Sequence, residues 1–207
     1  MGRKSPKVNI PMILAIILLF LTLLSVHLTS GLYARYVSTA TGSDSARVAK
    51  FGSLTLTEEG DFGAGKQKGM IIPGVDLQKR ARVTFTASEV STVVFVEIIT
   101  NWEKDEGSDT FSYDEGLMRW KVDDTWTYLL TDSFNGMPRC VYYKTLTPNE
   151  GLEADIIAEQ GRIAVSTSVT EADRTSLNGA YITLRASVIQ SGGFETVEEA
   201  WLAMAGK

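Results

Sequence analysis

The chain has almost no histidine and almost no cysteine: one of each, His27 and Cys140, among 207 residues. Zinc centres need several imidazole or thiolate ligands, so this composition excludes them. It equally excludes Ser-His-Asp and Cys-His catalysis, because His27 lies inside an apolar run. A lone cysteine rules out a disulfide framework, and the fold must rest on a hydrophobic core. Cys140, in the strand-like run Arg139 to Thr147, reads as a small buried hydrophobe, with an intermolecular disulfide as the alternative. Positive charge is also in short supply. A cut after Ala34 leaves 17 basic against 25 acidic residues, a net charge of −8, which makes that part a poor binder of nucleic acid and anionic lipid.

What the chain does have is one uncharged apolar run, Ile10 to Leu28, with Arg3, Lys4 and Lys7 before it and no acidic residue ahead of Asp44. As a helix its 19 residues span roughly 28 Å, close to the ~30 Å of a bilayer core. The cations in front leave the N-terminus in the cytoplasm and send everything after Leu28 outside. Two readings stay open. The run exceeds the ordinary core of a cleavable signal peptide, which favours a retained membrane anchor. The stretch Thr29 to Ala34 is rich in small residues, which favours signal-peptidase cleavage, either between Ala34 and Arg35 or after Gly31. The organisation is therefore residues 1–34 as signal peptide or anchor, 35–50 as a linker, and 51–207 as an extracellular domain.

That domain alternates apolar and polar residues in many short stretches, the mark of half-buried strands. Phe51 to Thr57 is the first. In Arg80 to Ala87, Ala81, Val83 and Phe85 share one face, and Thr92 to Thr100, β-branched almost throughout, reads as a central strand buried on both faces. Asn101 to Asp124 reads as an acidic loop. Thr125 to Thr131, Arg139 to Thr147, Ile163 to Val169 and Ala180 to Gln190 supply further strands, with Val141, Tyr143, Val165, Val169, Ile182, Leu184, Ala186 and Val188 facing inward. Seven or eight strands and one C-terminal helix are expected. The helix is capped by Thr196 with Glu199 three residues on, and carries Val197, Ala200, Trp201 and Met204 on one stripe. Strands without alternating helices predict an all-β, antiparallel sandwich.

Gly60 to Gln67 copies the start of a phosphate-binding loop. Gln67 stands where a Mg²⁺-binding hydroxyl belongs and Gly69, Pro73 and Gly74 follow instead of a helix, so a connection between strands explains it and no cofactor is implied. The acidic run Glu103 to Glu115 lacks the order of a calcium loop and reads as a solvated loop. Trp102, Trp120, Trp126, Tyr142 and Tyr143 suit a core better than a sugar site. A carboxylate-based hydrolase is the enzymatic alternative, since acids are plentiful, but no spacing supports it.

Four stretches in order resemble the TasA/camelysin family of Gram-positive surface proteins, which are exported with a SipW-type signal peptidase. They are Gly31 to Tyr36 (GLYARY); Ser43 to Leu56 (SDSARVAKFGSLTL); Ile72-Pro-Gly-Val75 with Val83 to Thr86 and Val94 to Ile98; and Val141 to Pro148 with Ala186 to Gln190 and Gly193 to Trp201. The resemblance implies a jelly-roll β-sandwich, cleavage near Ala34 and a structural role at the cell surface or in a biofilm matrix. It also implies a freed N-terminal segment, Arg35 to about Leu56, that adds a strand to a neighbouring subunit. In this chain Asp44, Ala46, Val48, Phe51, Leu54 and Leu56 are its candidate assembly residues. Partners are then the signal peptidase, further copies or a related matrix protein, and the membrane. The metalloprotease label of camelysin-like members does not transfer, because no histidine lies outside the apolar run.

Overall fold

The structure, a computed structural model, describes residues 18–21, 37–39, 51–63, 66–67 and 71–206. The chain divides into a unit Met1–Val37 and a compact unit Ser38–Lys207. In the first, residues 18–21 are helical and exposed. Among the described residues no helix is long and apolar enough to cross a membrane. The rest of the apolar run and the Ala34–Arg35 junction lie outside the described residues, as do Asp44, Ala46 and Val48.

The strands in chain order are β1 (Val37–Thr39), β2 (Leu54–Gly60), β3 (Phe62–Gly63), β4 (Lys66–Gln67), β5 (Leu77–Phe85), β6 (Thr92–Thr100) and β7 (Glu103–Lys104). They continue with β8 (Thr110–Tyr113), β9 (Met118–Lys121), β10 (Thr127–Phe134), β11 (Met137–Leu146), β12 (Leu152–Asp155), β13 (Arg162–Val165) and β14 (Ile182–Gln190). One sheet runs β1-β14-β6-β11-β10. The other centres on β5, which pairs β2 along one edge and β12 and β13 along the other, and continues through β9 and β8 to β7. The pairings within both are antiparallel, and their facing side chains form one core, so the body is an antiparallel β-sandwich.

The core explains the pattern along each strand. On β5, Leu77, Ala81, Val83 and Phe85 are buried while Gln78, Arg80 and Thr84 face outward. Every residue of β6 is buried, as its unbroken apolar run requires: Val94, Val96 and Ile98 enter the core between the sheets, and Phe95 meets Trp201 on the opposite face. That cover is the C-terminal helix, Val197–Ala205. Thr196 Oγ1 accepts from Glu199 N at 3.2 Å, and Ala200 and Trp201 are buried.

Two expectations are corrected. Asn101 to Asp124 is no loop but carries the meander β7-β8-β9, with Phe111, Met118 and Trp120 inward. Its connections hid it: β8 and β9 are four residues each, joined through Asp114, Glu115 and Gly116, all at positive φ (50, 53 and 85°). On β11 the register is shifted by one. Cys140, Tyr142 and Leu146 join the core, and Val141 lies on the outer face opposite Glu97. Both faces of β11 are apolar, so alternation alone does not choose between them. Besides the C-terminal helix this unit has two four-residue helical segments, Ala158–Gly161 and Arg174–Leu177, and Leu152 to Asp155 adds an unforeseen strand.

Candidate functional site

Where β6 ends, Thr100 Oγ1 donates to the Tyr181 carbonyl at 2.7 Å and accepts from Trp102 N at 3.2 Å. Asn101 accepts from Tyr181 N and donates to the Gly179 carbonyl, each at 3.1 Å. These bonds pin the crossing from one sheet to the other, and Trp102 drops into the core with 3 % of its surface exposed. The loop that follows, Asp105 to Asp109, stands away from the inner face of β10 and β11. An open cleft of about 850 Å³ lies between them. Its lining includes Trp102, Phe111, Pro138 and Cys140, with Tyr128 and Thr131 from β10 and the acidic groups Glu103, Asp105, Glu106 and Asp109.

Lys104 is the one basic residue in that lining. Its ammonium lies 4.7 Å from the centre of the Tyr128 ring and 3.5 Å from Asp109 Oδ1, and donates to the Ser108 carbonyl. An aromatic face, a carboxylate and a carbonyl thus surround one cation. Asp109 Oδ1 also accepts from the Tyr142 hydroxyl at 3.0 Å. Burial, reinforced by the Asp109 charge, pushes the Tyr142 phenol far above its ordinary range, so it stays protonated and keeps its proton on the Asp109 bond. Burial likewise pushes the Cys140 thiol up, against the hydrogen bond with Thr131 Oγ1 at 3.2 Å. A thiol held in that form is a poor nucleophile. The cleft thus offers carboxylates, one ammonium and aromatic surface.

A second cluster lies on the outer face beneath the C-terminal helix. Arg139 donates to both oxygens of Asp132 at 2.7 and 2.5 Å and to Glu97 Oε2 at 2.8 Å, and Arg185 Nε lies 3.8 Å from Glu97 Oε1. The Arg139 guanidinium is 4.9 Å from the Trp201 ring centre, and Phe134 lies between Arg139 and Arg185 at 5.4 and 5.0 Å. These carboxylates are neutralised by bound arginines, as buried charges must be. The cluster holds the helix on the sheet.

Of the expected assembly residues, Leu54 and Leu56 sit on β2 opposite Phe85 and Val83 of their own β5, and Phe51 is packed against the core. Trp102, Trp120, Trp126 and Tyr142 are buried. Gly60 closes β2, and Phe62–Gly63 pairs antiparallel with Lys66–Gln67. Among the described residues no group of three or more His, Cys, Asp or Glu is placed to hold a metal ion. Sequence reasoning missed the cleft, although the acidic run that Trp102 precedes and Phe111 interrupts was its one local signal.

No protein-family model matches the chain, and no curated protein or solved structure matches it either.

Proposed function

We propose that the chain is an exported, jelly-roll-like structural subunit of a cell surface or biofilm matrix, which works by assembly. The observation that carries the reading is the edge of the five-stranded sheet. β14 is nine residues long, and its outer neighbour in the strand order is the three-residue β1, from the segment that joins the apolar run to the sandwich. A strand edge this long is a template for a further strand, and a segment supplied by a neighbouring subunit would cover it. On this reading a SipW-type peptidase cuts between Ala34 and Arg35, and residues 35–50 are the donated segment. The TasA/camelysin resemblance of the sequence points the same way.

N-terminal sequencing of the exported protein, with electron microscopy of purified Arg35 to Lys207, tests it. An N-terminus at Arg35 and fibres that lengthen with concentration are expected. Monomers at every concentration would end the assembly reading, and an intact Met1 segment would favour a permanently anchored surface binding domain. The acid-lined cleft is the observation that favours this second reading.

A further inference from the structure

The cleft between β10 and the Asp105 to Asp109 loop is unlike the rest of the sandwich, because its floor is apolar and its rim is strongly acidic. Trp102 and Phe111 are buried beneath that floor, so the exposed faces of Tyr128 and Pro138 that a ligand meets rest on packed rings. Glu103, Asp105 and Glu106 form no ion pair among the described residues, and Asp109 is the only rim carboxylate that meets Lys104. Four carboxylates against one ammonium leave the rim three negative charges in excess. Low-dielectric walls concentrate such a field within a cleft.

The protein also displays the geometry by which this cleft holds a cation. Lys104 places an alkylammonium against the Tyr128 ring, the Asp109 carboxylate and the Ser108 carbonyl. Its side chain keeps only 21 % of its surface exposed, so the group is drawn into the site. At about 850 Å³ the space exceeds what one amine fills and suits a short peptide.

We propose that this cleft is a binding site for a lysine-bearing peptide segment of a partner protein, and that Lys104 is an internal ligand which competes for it. The aliphatic stems of the incoming lysines lie on the apolar floor, and their ammonium groups meet Glu103, Asp105 and Glu106. One ammonium displaces that of Lys104 from the Tyr128 face. The site rests on neither reading of the N-terminal segment, so its failure would leave the assembly proposal standing.

The test uses the full-length chain in a neutral detergent. It is titrated calorimetrically with a blocked pentapeptide carrying two lysines, and the Trp102 indole N–H resonance is followed to locate the site. Saturable binding that moves this resonance is expected, together with loss of binding when both lysines are Nε-acetylated. The pair Glu103→Gln with Glu106→Gln, both on the exposed rim, should weaken binding by about tenfold. Lys104→Met should tighten it by a few-fold, because the competing ammonium is gone. Equal binding of the acetylated peptide, no effect of the two glutamine substitutions, or weaker binding by Lys104→Met would each overturn the proposal. So would the absence of saturable binding by the folded parent chain.

Discussion

Replacing Trp201 by alanine tests whether the C-terminal helix is part of the folded core or an appendage to it. Trp201 is 1 % exposed, its ring centre lies 5.3 Å from that of Phe95, and the Arg139 guanidinium stacks at 4.9 Å. Truncating a buried Trp or Phe to alanine costs about 3–5 kcal/mol through lost transfer energy and the cavity left behind. The lost cation–π contact falls at the desolvated end of its range, about 2 kcal/mol, part of which the truncation figure already contains. Water would also reach the Arg139–Glu97 pair, which it hardly touches at 5 and 7 % side-chain exposure. A loss of about 4 kcal/mol is therefore expected, a large share of the roughly 5–15 kcal/mol that holds a domain together. For a body of this size it corresponds to a melting temperature lower by about 8–16 °C. Urea unfolding of Ser38–Lys207, followed by circular dichroism, measures it. Leu202→Ala on the same helix, 43 % exposed, is the control and should stay within about 0.5 kcal/mol of the parent. A loss below about 1 kcal/mol for Trp201→Ala would refute the claim that the helix completes the core.

Gly161 sits at φ 91°, and a β-carbon there would come within 2.4 Å of the Lys79 carbonyl, so Gly161→Ala should destabilise by about 2 kcal/mol or more in the same urea assay. Cys140 should react with a thiol reagent at pH 8 slower by about two orders of magnitude in the native protein than in urea, because burial raises its pKa and leaves only 5 % of its surface exposed; equal rates would contradict its place in the core. The carboxyls of Glu150 and Asp173 are held below their ordinary range by hydrogen bonds from the backbone and hydroxyl of Thr147 and Thr170. Depressed carboxylates contribute stability that is present above their unfolded-state pKa and is lost as pH falls through the folded-state value. Glu150→Gln with Asp173→Asn should thus flatten the acid limb of the stability–pH curve below the ordinary carboxylate range and leave its slope near neutrality unchanged.

Much of the sandwich was legible in the residues because burial leaves a local trace. The alternation of Ala81, Val83 and Phe85, and the unbroken run of β6, each state how many faces a strand buries. Thr196 and Trp201 mark a capped helix with one apolar stripe for the same reason. The cleft was not legible in that way. Lys104 and Tyr128 are 24 positions apart in the sequence, and nothing local to either indicates that one stacks on the other.

The sequence by itself determined the β class, the core positions of β5, β6 and β14, the capped C-terminal helix and the poverty of metal-binding and nucleophilic side chains. These follow from composition and from a period of two, which each strand carries within itself. Only the tertiary structure decided that β7, β8 and β9 are strands, which face of β11 enters the core, and that an acidic rim stands over an aromatic floor. Those outcomes depend on which strands become neighbours, because a short segment, or one apolar on both faces, takes its conformation and its register from the strand beside it.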